Sequence, residues 1–221
     1  VMFVEKSRKK DLLLELFKNT SLRKVIVFTR TKHGANRLAE TLSKNNISTQ
    51  AIHGNKSQTA RQHALENLRT GRNRVLVATD IVARGIDIDQ ISHVINYELP
   101  NDSESYVHRI GRTARAGHSG IAISLCDAEE RSFLKDIEKL IAMEISRDRQ
   151  HAFHSDSVEN SRIMSKGKAK AAIESRGSGR NRFKPRFGSK RSTHRESGGG
   201  DSHRRPNSGG SGQQPSRTKA W

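Results

Sequence analysis

Three arginines recur at intervals of three within Tyr106–Gly117 (YVHRIGRTARAG): Arg109, Arg112 and Arg115, led by His108 and punctuated by Gly111 and Gly117. On a helical or tightly turned backbone that spacing lets the guanidiniums point one way. Arginine is charged at every relevant pH and offers a planar fork of donors matching phosphate oxygens, so the run suits a polyphosphate. A bare RxxRxxR also suits a solvated basic helix face. The motifs upstream favour the phosphate reading.

Val75–Ile88 (VLVATDIVARGIDI) sets Thr79 and Asp80 where an apolar run gives way to a loop. Gly85 would let backbone approach a ligand closely, and Asp87 offers a carboxylate able to accept from ribose hydroxyls. His53–Arg61 (HGNKSQTAR) puts Gly54 after another apolar run, then Ser57 and Gln58 at a helix start and Arg61 one turn on. A helix start presents free amides and a positive dipole end to phosphate. Ser57 also reads as an ordinary cap, and both roles can hold together. Thr31 and Lys32 follow VIVF with similar polarity.

These groups need elements to hold them. VIVF (25–28) and RVLVA (74–78) are compact β-branched runs suited to strands buried on both faces of a parallel sheet. Further strands are expected near 1–5, at 49–52, 94–97 and 120–125. Helices are expected over 9–18, 31–43, through Leu65 and Leu68, from Ser103, and over 129–143. Strands and helices alternating at this pace imply an α/β fold with a parallel sheet and right-handed crossovers. In such sheets chemistry gathers at the carboxyl ends of the strands. Thr29-Arg30, His53-Gly54, Thr79-Asp80 and Pro100-Asn101 all fall there.

The chain has 221 residues and a formal charge of +18, which points to a polyanionic partner, nucleic acid by default. Of its 41 Lys and Arg, 18 lie after residue 146, against only 6 of the 23 Asp and Glu. Ten of the 17 glycines lie there too, so residues 147–221 are expected to form a disordered basic Gly/Ser/Arg-rich tail after a domain over 1–146. Phe183, Phe187 and Trp221 among the arginines suit loose contact with single-stranded nucleic acid. The lone Cys126 lies in an apolar run and reads as a small buried residue in a reducing, cytoplasmic compartment. Neither a secretory leader nor a membrane span is expected. The opening at Val1 in mid-pattern implies part of something longer.

In order and spacing, VIVFTRTK, HGNKSQTAR, VLVATDIVARGIDI and YVHRIGRTARAG resemble motif IV, the Q-x-x-R element, motif V and motif VI of DEAD-box RNA helicases. The tail resembles those of bacterial members. The resemblance implies the second of two RecA-like domains, a parallel sheet flanked by helices. By it, Arg112 and Arg115 would be arginine fingers on the γ-phosphate of ATP. Asp87, with Gly85, would meet the nucleotide, His108 would link it to the facing domain, and Arg109 would buttress the motif on that ATP side. Thr31, Gly54, Gln58, Arg61 and Thr79 would hold RNA phosphates, which position a strand without reading its sequence. Ala114 stands where many relatives have glycine. The implied partners are RNA and an N-terminal RecA-like domain of the same protein.

No G-x-x-x-x-G-K-[ST] loop and no Asp-Glu-Ala-Asp box occurs in the chain. The phosphate cradle and the groups that hold Mg²⁺ would therefore belong to that other domain. A different class of function, a non-catalytic RNA-binding or annealing module acting through the tail, is also compatible with the composition, as is a DNA-directed relative.

Overall fold

The computed structural model describes residues 1–80, 91–113, 120–164 and 166–177. Six strands form one sheet: β1 (Met2–Phe3), β2 (Val25–Phe28), β3 (Thr49–Ile52), β4 (Val75–Ala78), β5 (His93–Asn96) and β6 (Ile121–Cys126). Their order is β1-β6-β5-β2-β4-β3, and every pairing is parallel. The described helices are α1 (Lys9–Leu16), α2 (Lys32–Lys44), α3 (Gln58–Arg69), α4 (Ser103–Ile110), α5 (Arg131–Ile141), α6 (Asp156–Glu159) and α7 (Lys166–Gly177). None is long and apolar enough to cross a membrane.

The expected two-sided burial of VIVF and VLVA is observed, since all eight residues are buried. Val25 and Val27 join Leu13, Ala35, Leu38 and Leu42 on the face covered by α1 and α2. Ile26 and Phe28 point the other way, onto Ala64 and Leu68 of α3. A third cluster packs Phe3, Tyr106, Cys126, Phe133 and Leu134 under α4 and α5. Burial pushes the Cys126 thiol well up, so it is held as an unreactive core group.

Register decides where the loops emerge. Phe28 pairs with Ala78 and Asn96, and Ile52 pairs with Ala78, so four strands end level at one edge of the sheet. Thr29, His53, Thr79 and Tyr97 leave side by side from that edge. Strands β5 and β6 sit one residue from their expected limits, within the tolerance of any boundary definition.

A charge cluster locks the edge. Glu130, fully buried, accepts from Arg30 Nη2 at 2.5 Å and the Leu99 backbone N–H at 3.1 Å, and pairs with Lys9. Lys9 Nζ also reaches Asp127 at 3.1 Å and the carbonyls of Tyr97 and Leu125 at 3.2 Å. Burial alone would pull Lys9 down, but Glu130 and Asp127 hold it above its ordinary range. Burial pushes Asp127 up, and Lys9, with Lys6 and Arg30 behind it, more than reverses this.

The disordered segment expected from residue 147 does not begin there. Residues 147–164 run back along β1, with Asp148 N–H donating to Val1 O at 2.9 Å and Ser155 N–H to Phe3 O at 3.2 Å. Val158 and Ala169 enter the Phe3–Phe133 cluster, and Arg149 forks onto Glu159 at 2.6 and 2.9 Å. Isolated anchors and pairing along the edge order this stretch, and neither produces a periodic apolar pattern.

Candidate nucleic-acid interface

The level strand ends build a cleft of about 230 Å³ lined by Arg30, Lys32, Gly54, Asn55, Thr79 and Asp80. Each wall has a local cause. Thr31 caps α2, its hydroxyl accepting from Gly34 N–H at 3.0 Å. A Cβ on Gly34 would lie 3.0 Å from that hydroxyl, so glycine leaves the cap its room. Ser57 caps α3 in the same way, accepting from Ala60 N–H at 3.2 Å. Both helix starts therefore face the strand-end edge with their positive dipole ends.

The wall carrying Gly54 is tied to α2 through His53, whose Nε2 lies 3.0 Å from Asn36 Oδ1. Burial, then the charges of Lys56 and Lys32, depress the basicity of this imidazole. His53 is thus a neutral strut between two walls. Gly54 itself is exposed, leaving backbone open to the cleft.

Arg109 is the largest fully buried side chain among the described residues. Its Nε and Nη2 donate to the two Asp80 carboxylate oxygens at 2.6 and 2.8 Å, and Nη1 donates to Asn96 Oδ1 at 3.0 Å and Glu98 O at 2.7 Å. The guanidinium also lies 5.0 Å from the Phe28 ring centroid. The side chain thus fastens α4 to the ends of β4 and β5 and neutralises the one carboxylate among the described residues of the cleft wall. With Arg30 paired to Glu130, Lys32 and the two helix starts leave the cleft net positive.

The arginine run does not point one way. Helix α4 stops at Ile110, and a Cβ on its C-cap Gly111 would sit 3.2 Å from Val107 O. Arg109 turns inward. Arg112 lies beyond the helix, half-exposed, its Nε donating to His108 O at 3.2 Å. His108 is exposed at the position four residues before it. Arg109 takes the buttressing place expected of it: its donors are engaged inside the chain, on Asp80, Asn96 and Glu98. Thr113 anchors the turn by donating to Ile91 O at 2.6 Å.

Of the expected RNA-side residues, Gly54 and Thr79 line the cleft, and Thr31 adjoins its wall at Lys32. Gln58 and Arg61 lie on the first turn of α3, next to the cleft but outside its lining. Gly85, Asp87 and Arg115 lie outside the described residues. Sequence reasoning missed Asn55 as a wall residue, the Asn36–His53 strut and the Asp80–Arg109 clamp. Asp80 was legible as a polar residue at a strand end, but its partner lies 29 residues on.

A level-ended parallel sheet with basic walls at its carboxyl edge is the construction of a RecA-like helicase domain. Residues 8–117 match the helicase conserved C-terminal domain. ATP-dependent RNA helicase FAL1 of Scheffersomyces stipitis is 42% identical over 135 residues, 61% of this chain and 34% of that protein. ATP-dependent RNA helicase DeaD of Buchnera aphidicola is 42% identical over 139 residues, 63% of this chain and 23% of that protein. Among solved structures, the E. coli DEAD-box protein SrmB, bound to the regulator of ribonuclease activity A, is 35% identical with a TM-score of 0.64. That match covers 74% of this chain and 94% of the SrmB chain. S. cerevisiae Dbp5, bound to RNA and ADP BeF3, is 31% identical with a TM-score of 0.63, over 78% of this chain and 44% of that one. The chain belongs to the DEAD-box RNA helicases, as their C-terminal RecA-like domain. It spans 34% or less of the length of the curated relatives named above.

Proposed function

We propose that this domain is the C-terminal half of an ATP-dependent RNA helicase acting in the cytoplasm, with ATP and RNA closing it against an N-terminal RecA-like domain. What supports this most is the joining of two surfaces by one side chain. Arg109 links the basic cleft, through Asp80, to the helix whose end carries His108 and Arg112. Thr31, Gly54, Gln58, Arg61 and Thr79 take RNA phosphates along the cleft edge, where backbone contacts grip a strand of any sequence. Arg112 and Arg115 act on the γ-phosphate, Asp87 and Gly85 hold the nucleoside, and His108 faces the other domain.

ATP supplies the cleavable phosphoanhydride. Arg112 fits such a group because its guanidinium is half-exposed just beyond the helix end, beside exposed His108. Since the chain lacks a phosphate loop, Mg²⁺ and the triphosphate are gripped by the N-terminal domain. Closure then brings RNA and nucleotide to one composite interface, and product release reopens it.

The test is Arg112→Ala in the protein carrying both domains. Arginine fingers contribute roughly 10³ to 10⁵ in rate, so RNA-stimulated turnover should fall to background while nucleotide affinity changes little. Near-normal ATPase would remove the finger assignment. The 221-residue chain alone should hydrolyse no ATP.

A further inference from the structure

The stretch that runs back along β1 carries a cluster with no part in the cleft. His154 Nε2 lies 3.1 Å from Asp156 Oδ1 and 3.4 Å from Glu159 Oε2. One ligand atom from each of these three residues falls within 4.8 Å of the others. The spacing follows from the fold: Ser155 caps the single turn of α6, so Asp156 and Glu159 come to the same side as His154.

A second observation concerns the imidazoles. His151 packs edge-on against His154, ring centroids 5.6 Å apart. Both His151 ring nitrogens and His154 Nδ1 are buried without a hydrogen-bond partner. Buried polar atoms are ordinarily satisfied. A neutral imidazole carries one lone pair, so the unpartnered His151 ring, stacked edge-on beside His154 and the two carboxylates, leaves one donor atom available to a Lewis acid.

We propose that His154, Asp156 and Glu159 form a binding site for a divalent transition-metal ion, with His151 as the fourth ligand after ring rotation. Mixed imidazole and carboxylate donors in a four-ligand set suit Zn²⁺. Arg149 holds both Glu159 oxygens, Nη2 on Oε1 at 2.6 Å and Nε on Oε2 at 2.9 Å. Binding through Oε2 replaces the second bond, while the first keeps the carboxylate oriented. The ion would pin residues 147–159 against β1, the strand hydrogen-bonded by Asp148 and Ser155. Its role is structural, and it is independent of nucleotide and RNA chemistry.

The experiment titrates the purified 221-residue chain with Zn²⁺, and separately with Co²⁺, whose visible d–d absorption reports ligand number. The chain has 10 histidines, several outside this cluster, so the comparison of variants carries the result. The expected result is one site with a tetrahedral Co²⁺ spectrum and a raised melting temperature at saturating metal. Affinity should fall at least tenfold in both His154→Ala and His151→Ala. A far-ultraviolet circular dichroism spectrum matching the parent verifies that each variant is folded. If Asp156→Asn, with its exposed side chain, binds like the parent, or if affinity is unchanged in both histidine variants, the site is overturned. A purely octahedral Co²⁺ spectrum would also overturn it.

Discussion

Arg109→Ala is the perturbation with the most determinate consequence, because every donor it removes has a named acceptor. Two charge-assisted bonds to Asp80 are lost, with those to Asn96 Oδ1 and Glu98 O. The Asp80 side chain is 36% exposed, so water re-solvates much of it and its contribution is discounted. Asn96 is fully buried and cannot recover in that way. An orphaned buried acceptor costs about 1–3 kcal/mol, and the space left over Phe28 adds a cavity term. The sum is about 4 kcal/mol, in line with the roughly 3–5 kcal/mol typical of breaking a buried pair from one side. For a domain of this size that is a melting-temperature drop of roughly 10 °C. Arg109→Lys keeps the charge, but one ammonium cannot span Asp80 and Asn96, so it should recover only part of the loss. Urea denaturation of the 221-residue chain, followed by circular dichroism, measures both. A loss below about 1 kcal/mol for Arg109→Ala, or full rescue by lysine, would refute the clamp.

Acid should act in two steps. His53 and His93 are depressed from 6.5, mainly by burial, so the unfolded state takes up protons first and stability falls as pH drops below 6.5. Asp127 is held below 3.8, so its contribution is complete above that value and is lost as pH falls through its folded-state pKa. His53→Gln should shrink the first step in a pH series of urea midpoints, leaving the share of His93, and should leave the second intact. Residues 178–221 carry 11 Lys and Arg against 2 acidic residues, so removing them should make the salt dependence of single-stranded RNA binding shallower. The change expected is about 0.7 in slope for each phosphate released. An unchanged slope would leave the basic tail without a role in affinity.

The sheet was legible because its strands write themselves locally. VIVF and VLVA are β-branched, unbroken by charge and closed by polar residues, and two-sided burial leaves no other pattern. Thr31 and Ser57 were legible as helix starts for the same reason, since capping needs only neighbouring residues. The arginine run was legible as to chemistry but misleading as to direction. Spacing alone puts Arg109 and Arg112 on one face, whereas the helix end at Gly111 separates them. The stretch after residue 147 was misjudged because its order depends on Val1 and Phe3, more than 140 residues away. No window of sequence holds both partners.

That contrast bears on how the cleft works. Its charge is set by long-range pairings that form only with the fold. Arg30 lines the cleft, yet its Nη2 is bound to buried Glu130, which also holds Lys9 at the start of α1 and the Leu99 amide after β5. Asp80 lines it too, with its charge met by Arg109. The cleft's free positive charge thus comes chiefly from Lys32 and the two helix starts, and Arg30 acts more as a brace than as a phosphate ligand. Lys32→Ala should therefore weaken RNA binding without changing stability. Arg30→Ala should lower stability by more than about 2 kcal/mol, because Glu130 is left underpaired in the core. If the two substitutions exchange these effects, with Arg30→Ala costing RNA affinity alone, the division of labour between wall and brace is wrong.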